Sequence, residues 1–409
     1  MEQNTEHIDE LFNDVISHYT TIEPKLLTQI QKGIINKEAF FENVKKYLST
    51  QRVNEDEWNI LSNKLQTFLF GYYKLTPLLD DMSITDIRCH GADNIRVKKY
   101  GKRYGTDISF KNQQEYINFI NTVATKNQRD LSMINAQTTF MDIDSHPNFR
   151  LRFDITTKLL NSSRIPTMHI RKIAKDKLTI NDLTHCRPTP MMDDEVADFL
   201  KNQIHNNKSM IICGPNASGK TVLLNAAIEE YPHNKSALCS QENEELFSKT
   251  HPDIFFQHIV TPNGEGKIKY DLKDEIRYGL ISDNDLFIIG EIKDKAALYA
   301  INAAYTGSAC WLTVHSENSQ EAVEKLADYA MEDAKYSIDK ILKELSYMHM
   351  VINIRDFKIQ EISMIKGFNK ETKEIIYEKV FSLNEGIRDF KKYMLPEPDC
   401  ESETLKFVS

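Results

Sequence analysis

The chain has 409 residues, of which 41% are hydrophobic, and its formal net charge at pH 7 is -9. This length suffices for two or three domains with separate cores, and the acidic balance disfavours bulk electrostatic binding to nucleic acid. No apolar run approaches the roughly 18 residues that a membrane span requires, and the six cysteines form no C-x-x-C pair. We therefore expect a soluble protein of a reducing cytoplasm, without a zinc ribbon or a disulfide framework.

The first half of the chain contains two regions of different pattern. Residues 1–70 carry apolar positions at helical spacing and predict a helical N-terminal extension. Residues 71–174 combine short strands, turn signals and a helix predicted over 113–125, which indicates an α+β domain. Residues 175–192 are charged and contain proline, as is typical of an interdomain linker.

The second half, over residues 193–385, alternates strands with helices, which is the pattern of a parallel α/β sheet. It closes with a short β meander, and residues 386–409 form a C-terminal tail. The predicted strands of the alternating part are 210–213, 237–240, 285–290 and 309–314, and those of the meander are 348–353, 360–368 and 375–381.

A complete G-x-x-x-x-G-K-T pattern, which we call the glycine loop (residues 214–221), follows the predicted strand 210–213 and precedes a helix-like segment. In this context backbone N–H groups converge on a polyphosphate, and glycine is needed because a side chain would block the approach. Lys220 is expected to reach the terminal phosphates and the Thr221 hydroxyl to ligate Mg²⁺. The alternative is a glycine turn in a core βα unit. The predicted nucleotide-binding residues are Gly214, Pro215, Asn216, Ala217, Ser218, Gly219, Lys220, Thr221 and Val222.

Hydrolysis also needs an acidic group near Mg²⁺ and the attacking water. Glu291 follows an apolar strand and is expected at the carboxyl edge of the sheet, where open α/β sheets bind ligands. Glu242 and Glu245 follow another strand and could hold metal or water, with Glu242 the candidate metal ligand besides Thr221. His315 ends a third strand and could sense the terminal phosphate. The alternatives are an acidic turn cap, solvated acids on a first helical turn and a packed histidine.

In this order, the motifs resemble those of the secretion and pilus ATPases of the type II/type IV superfamily. The start of the predicted α+β domain and its closing segment, His169-Ile170-Arg171-Lys172, are also similar to that family, and the resemblance covers residues 65–385. The β meander and the absence of a tetracysteine zinc module make the chain look more like the CpaF/TadA pilus motors and the VirB-class conjugation ATPases. The similar boxes are Walker A at 214–221, the Asp box at 241–246, Walker B at 290–294 and the His box at 306–315.

The resemblance implies an α/β protein in which an N-terminal α+β, PAS-like domain precedes a RecA-like P-loop ATPase domain at 193–385. It implies a homohexameric ring that uses ATP and Mg²⁺ and binds nucleotide between its two domains. Such rings act at the cytoplasmic face of the inner membrane, together with a platform protein and other components of a secretion, conjugation or pilus machine. Direct binding to nucleic acid is not expected.

Four arginines of the α+β domain match the region from which the family contributes arginines to the phosphates. They are Arg150, Arg152, Arg164 and Arg171, of which Arg152 and Arg171 are the candidates for nucleotide binding. Arginine suits this role because its planar fork pairs bidentately with phosphate oxygens. For each arginine alone, a solvated strand face is the alternative.

The chain departs from the family boxes at several positions. Ser308 replaces the first histidine of the His box, Lys293 replaces the Walker B arginine, and Glu242 replaces the aspartate of the Asp box. The loop has Asn216-Ala217 where the family prefers Thr-Gly. The catalytic positions that match are Lys220, Thr221, Glu291 and His315.

The leading hypothesis is an ATP-hydrolysing motor. In it Glu291 positions or deprotonates water, Glu242 and Glu245 assist, and His315 couples phosphate loss to domain movement. The box substitutions leave open a nucleotide-binding scaffold or regulator that barely hydrolyses ATP. A RecA-like nucleic-acid motor is a third possibility, against which the acidic charge counts.

Overall fold

The computed structural model describes residues 2–396 except 32–35, 52, 130, 134, 186–188 and 261–268. The chain divides into two compact units, Met1–Lys175 and Asp176–Ser409, and both mix helices with a β-sheet. This confirms a mixed α/β protein, whereas the finer domain boundaries stay a prediction. Residues 186–188 of the predicted linker and 397–409 of the predicted tail lie outside the described residues.

The first unit begins with helices that pack on the same core as its sheet. Phe12 and Phe68 on these helices are buried in one cluster with the strand residues Phe153 and Ile170, so the segment predicted as an extension shares a hydrophobic core with the sheet. The helices are α1 (Glu2–Ser17), α2 (Pro24–Gln31), α3 (Lys37–Tyr47), α4 (Glu55–Phe70), α5 (Thr76–Asp80) and α6 (Gln113–Lys126), with short π- or 3₁₀-helical turns at His18–Ile22, Leu48–Thr50 and Tyr73–Leu75.

A six-stranded antiparallel sheet completes the first unit, in the order β3-β2-β1-β6-β5-β4. Along the fifth strand buried and partly exposed residues alternate, because successive side chains of a strand point to opposite faces. One face therefore belongs to the core, and the other carries polar residues including Arg152. The strands are β1 (Ile84–Cys89), β2 (Ile95–Lys99), β3 (Lys102–Gly105), β4 (Gln137–Asp142), β5 (Phe149–Thr156) and β6 (Thr167–Ala174).

The second unit contains a nine-stranded sheet in the order β15-β14-β13-β12-β7-β11-β10-β8-β9. The strands from β12 to β9 are parallel, and β12 to β15 form an antiparallel meander. Each of the seven strands predicted here from the sequence is present. The strands are β7 (Met210–Cys213), β8 (Ala237–Gln241), β9 (Ile254–His258), β10 (Leu286–Ile289), β11 (Ala309–Val314), β12 (Met350–Arg355), β13 (Lys358–Asn369), β14 (Glu374–Ser382) and β15 (Ile387–Arg388).

Helices cover both faces of this sheet, which explains why β7, β10 and β11 are buried along their whole length. Helix α7 lies inside the segment predicted as a linker, and its Ile180 and Leu183 are buried in the core of the second unit. None of the helices in the described ranges has both the length and the apolar character needed to cross a membrane. The helices are α7 (Ile180–His185), α8 (Asp194–His205), α9 (Lys220–Glu230), α10 (Leu272–Gly279), α11 (Ala296–Thr306), α12 (Ser319–Met331) and α13 (Ile338–Leu345), followed by a 3₁₀ turn at Lys391–Tyr393.

Candidate functional site

The carboxyl ends of the central parallel strands bring the predicted residues to one edge of the sheet. The glycine loop joins β7 to α9, and β7 pairs with β11, which pairs with β10, which pairs with β8. Glu242 directly follows β8, His315 directly follows β11, and Glu291 is the second residue after β10. Since parallel strands end at the same edge, these side chains gather beside the glycine loop.

Two glycines of the loop have backbone conformations that other residues adopt rarely. Gly214 has a φ of +149° and Gly219 a φ of +110°. A Cβ on Gly214 would lie 2.1 Å from the carbonyl oxygen of Ile354, and a Cβ on Gly219 would lie 2.8 Å from the Cε of Met191. At Gly214 both the torsion and the neighbouring backbone therefore require glycine, whereas at Gly219 the torsion does, because the end of the flexible Met191 side chain can shift. Gly219 is also the N-cap of α9, so no side chain caps the N–H groups of its first turn, where an anion can bind.

Lys220 is 6% exposed and folds back over the loop. Its Nζ donates hydrogen bonds of 2.9 Å to the carbonyl oxygens of Gly214 and Pro215, and it lies 3.0 Å from Nδ1 of His315. Burial lowers the pKa of Lys220, although the nearby Glu291 opposes that shift. The ammonium is thus held over the glycine loop by carbonyl dipoles.

His315 connects Lys220 to the acidic residues. Its Nε2 lies 2.6 Å from Oε1 of Glu291, while Nδ1 faces Lys220. Burial and the positive charge of Lys220 lower the pKa of His315. Nδ1 also lies 3.3 Å from the carbonyl oxygen of Gly214, so it faces both an ammonium and a carbonyl group, while Nε2 approaches the Glu291 carboxylate as a charge contact.

Lys293 extends the line of charges to Glu242. Its Nζ lies 3.1 Å from Oε2 of Glu291 and 2.8 Å from Oε2 of Glu242. Burial disfavours the charged amine, but hydrogen bonds with Glu242 and Glu291 raise the pKa of Lys293 overall. We call the five residues in this line the loop-edge network; they are Lys220, His315, Glu291, Lys293 and Glu242.

The turn that carries Glu242 and Glu245 is fixed by Gln241. The Gln241 side chain accepts a hydrogen bond from the N–H of Leu246 at 2.7 Å and donates one to its carbonyl oxygen at 2.9 Å. The carbonyl of Glu245 accepts hydrogen bonds from Asn225 on α9 and from Lys177, each at 3.2 Å. Glu245 therefore joins this turn to the helix that follows the glycine loop.

The remaining predicted residues occupy different environments. Asn216 and Ala217 are exposed at the tip of the loop, and Ser218 is buried. Thr221 and Val222 lie on the first turn of α9 and are half-buried.

The predicted arginines belong to the first unit. Arg171 Nε donates to Oδ1 of Asp86 at 3.3 Å, and Arg152 forms a 3.5 Å ion pair with Asp154. His169 lies between the two aspartates, 3.1 Å from Asp86 and 3.4 Å from Asp154. We call Arg171, Asp86, His169, Asp154 and Arg152 the sheet-face network. Binding of phosphate by Arg152 and Arg171 stays a prediction.

Sequence reasoning missed several partners at the loop edge. Lys293 stands at the arginine position of the motif, yet in the structure it pairs with two of the predicted acids. Asn225 is a polar residue within the otherwise apolar stretch 222–228. Its polarity there is the sequence feature that could have indicated its hydrogen bond to the turn. Phe357, whose ring lies near Gly219, carried no signal because it comes from a distant hairpin.

Together the fold and the site define a parallel α/β protein with a glycine loop and convergent charged residues at the carboxyl edge of its sheet. The family model described as "Type II/IV secretion system protein" matches residues 72–355. The chain belongs to this family, which confirms the resemblance found in the sequence.

Two relatives illustrate how far the similarity reaches. An uncharacterised protein of Methanocaldococcus jannaschii is 24% identical over 353 residues, which is 85% of this chain and 62% of that protein. The Type IV secretion system protein VirB11 of Bartonella quintana is 25% identical over 150 residues, which is 36% of this chain and 41% of the relative. The matched parts thus span less than two thirds of these relatives.

Solved structures are similar in fold. The Legionella pneumophila ATPase DotB gives a TM-score of 0.52 at 16% identity, over 73% of this chain and 81% of that one. The Yersinia pseudotuberculosis ATPase DotB gives a TM-score of 0.51 at 17% identity, over 75% and 77% of the two chains. At this identity the similarity describes the fold alone.

Proposed function

We propose that this protein is an ATP-hydrolysing motor of a secretion or pilus-assembly machine. The observation that carries the proposal is the meeting of Lys220, His315 and Glu291 beside a glycine loop in a chain of the Type II/IV secretion system protein family. In this proposal the second unit is a RecA-like ATPase domain and the first unit a PAS-like domain. The motor is a homohexamer that works from the cytoplasm on an inner-membrane platform protein.

Binding of ATP begins with the glycine loop. The uncapped N–H groups at the start of α9 bind the phosphates, and the helix dipole favours their negative charge. Lys220 exchanges its two carbonyl acceptors for phosphate oxygens, which bind an ammonium more strongly because they carry charge. Arg152 and Arg171 contribute further phosphate contacts in this proposal.

The residues fit a magnesium ion, because hydroxyl and carboxylate oxygens are its usual protein ligands. Thr221 would hold Mg²⁺ together with the substrate phosphates, and Glu242 would approach it directly or through water. Bound there, the ion would neutralise charge that develops on the phosphates.

Glu291 orients the attacking water or accepts its proton. In the present arrangement its two carboxylate oxygens contact His315 and Lys293. When Lys220 turns to phosphate, Nδ1 of His315 loses its closest donor, so His315 responds directly to the occupancy of the loop. Glu245 transmits this change through its contacts with α9. Loss of the terminal phosphate reverses these contacts, which couples hydrolysis to movement.

A second candidate is an ATP-binding scaffold with little turnover. The ion pairs of Lys293 favour it, since a cation that neutralises both Glu242 and Glu291 opposes the use of either acid in chemistry. In that case the glycine loop binds nucleotide and the conformational response remains, but hydrolysis is slow.

Steady-state ATPase assays with Mg²⁺ separate the two candidates. We expect turnover in the wild type, loss of it in Glu291→Gln and Lys220→Ala, and a six-subunit mass in solution with nucleotide. Glu371→Gln is the matched control, because Glu371 is exposed in the β13–β14 turn, far along the chain from the glycine loop. Tight ATP binding with turnover no higher than that of Glu291→Gln would establish the scaffold instead.

A further inference from the structure

The hairpin that joins β12 to β13 has an unusual turn. Arg355 and Lys358 are paired, so only Asp356 and Phe357 form the turn. Both have positive φ values, of +50° and +63°. Two-residue turns of this kind favour asparagine and glycine, because a Cβ in this conformation contacts the backbone. A phenylalanine here is strained, and such strain persists only where surrounding contacts impose it.

Phe357 contacts the glycine loop through both its backbone and its ring. The N–H of Phe357 donates a 3.1 Å hydrogen bond to the carbonyl oxygen of Ser218. A Cβ on Gly219 would lie 3.5 Å from two carbon atoms of the Phe357 ring, so the ring covers the residue that caps α9. Near the start of the loop, the carbonyl of Ile354 leaves no room for a side chain on Gly214.

The same hairpin is tied to the segment that follows His315. Arg355 forms an ion pair with Glu317, and Nδ2 of Asn353 donates to the carbonyl oxygen of Glu317 at 3.3 Å. These contacts involve the end of β12 and do not depend on the Phe357 side chain. The hairpin is therefore anchored independently and presents the ring to the glycine loop.

We propose that Phe357 is a positioning residue that holds the glycine loop in the shape that binds phosphate. The loop contains two glycines and so loses conformational entropy when it becomes ordered. A ring packed on Gly219 and a hydrogen bond to Ser218 order the loop before the ligand arrives. For its ligand, this inference rests on the proposed binding of ATP.

The experiment compares Phe357→Gly with Asp356→Gly in the full-length chain. Each variant relieves one positive φ and adds one glycine to the same turn, but only the first removes the ring from Gly219. We expect Phe357→Gly to weaken binding of a fluorescent N-methylanthraniloyl ATP analogue at least about fivefold, since the loop must then be ordered on binding. Asp356→Gly should bind as the wild type does. Phe357→Asn, which tolerates the conformation and lacks the ring, should behave like Phe357→Gly.

A readout without nucleotide is amide hydrogen exchange over residues 214–223. We expect faster exchange in Phe357→Gly than in Asp356→Gly, with a melting temperature no lower than that of the wild type. Equal affinity and equal exchange in the two glycine variants would overturn the inference, as would equal losses in both.

Failure of the proposed function gives a different pattern. If the wild type binds the analogue no better than Lys220→Ala does, ATP binding itself is refuted. The exchange comparison then decides the role of Phe357 alone: faster exchange only in the Phe357 variants supports loop positioning, and unchanged exchange refutes it.

Discussion

The loop-edge network of the second unit and the sheet-face network of the first unit each contain five residues, one of which is a histidine. The charged groups that contact the histidine differ between the two networks. His169 contacts two carboxylates, those of Asp86 and Asp154. His315 contacts one carboxylate, that of Glu291, and one ammonium, that of Lys220. Hydrogen bonds with Asp154 and Asp86 raise the pKa of His169, whereas burial and Lys220 lower that of His315.

The two networks differ in whether each cation has an anionic partner. In the sheet-face network the charges are paired, whereas in the loop-edge network a bound anion would add a partner for Lys220. In the sheet-face network each cation meets an anion, and Thr85 and Thr139 donate to the aspartates at 2.8 Å. In the loop-edge network a buried lysine rests against carbonyl oxygens and a neutral histidine. An anion at the glycine loop would give Lys220 a charged partner. Groups with perturbed pKa values are found preferentially at functional sites.

The strongest test of this contrast removes the buried ammonium. Lys220→Met keeps most of the apolar stem and deletes the charge, so we expect ATP turnover to fall about 10²–10³-fold, as when a single phosphate or oxyanion donor is lost. The measurement is kcat and kcat/KM for MgATP. Lys340→Met serves as the control, because the side chain of Lys340 is 55% exposed and pairs with Glu344 on α13. Turnover unchanged in Lys220→Met would mean that the loop-edge network has a structural role only.

The next largest effect concerns the stability of the first unit. Asp86 is buried and accepts from Arg171 and Thr85 while it contacts His169, so Asp86→Asn should destabilise this unit by about 2 kcal/mol, because it removes the charge of a buried acceptor that three neighbouring side chains contact. Urea unfolding followed by Trp58 fluorescence in a Trp311→Phe background reports on this unit alone, since one of the two tryptophans lies in each unit.

Asp93→Asn is the control for that substitution, because Asp93 is exposed in the β1–β2 turn. We expect it to change stability by less than about 0.5 kcal/mol. If the two variants are equally stable, the sheet-face network contributes nothing to folding, and its arginines become stronger candidates for a ligand.

The sequence predicted those parts of the site that depend on local pattern. Glu291 and His315 end apolar runs, and parallel strands bring such ends together, so their 2.6 Å contact follows from the strand assignments. Lys293 could be placed in the motif but not beside both acids, since its side-chain direction depends on packing. The Asp356-Phe357 turn lacks the glycine or asparagine that signals such a hairpin, and Phe357 contacts a loop more than 130 residues earlier in the chain.

The fold shows the same limit. Helical spacing in residues 1–70 predicted helices, but it could not show that Phe12 and Phe68 enter the core of the following sheet. Charge and proline in residues 175–192 indicated a linker, whereas Ile180 and Leu183 form one buried turn of a helix there. Periodicity identifies which face of an element is apolar, and it does not identify the partner of that face.

A pH titration sharpens the comparison between the two histidines. NMR titration should give His169 a midpoint above its ordinary value of 6.5 and His315 a midpoint below it. Because the pKa of His169 is raised in the folded chain, its stabilising contribution is complete below pH 6.5 and is lost as pH rises through the folded pKa. For His315 the pKa is lowered, so protonation opposes folding as pH falls below 6.5.

Two substitutions identify the causes of these shifts. Lys220→Met should move the midpoint of His315 upward and leave His169 unchanged, whereas Asp154→Asn should move the midpoint of His169 downward and leave His315 unchanged. Midpoints of the two histidines that coincide in the wild type would contradict the contrast between the networks.

The smallest expected effect concerns the exposed end of the loop-edge network. The side chains of Lys293 and Glu242 are 47% and 34% exposed, so solvent screens their 2.8 Å ion pair. Lys293→Met should therefore change the free energy of unfolding by less than about 0.5 kcal/mol. In 0.5 M salt, where the Debye length is about 4–5 Å, the difference from the wild type should be smaller still. Lys379→Met, which removes a partly exposed cation from the two acids Glu361 and Glu385, is the matched control. A loss in Lys293→Met that is several times larger than in the control, and that persists in high salt, would mean that Lys293 and the line from Glu291 to Lys220 act as a single unit. The loop-edge network would then be one cooperative unit, and not a functional buried residue, Lys220, weakly coupled to an exposed residue, Lys293.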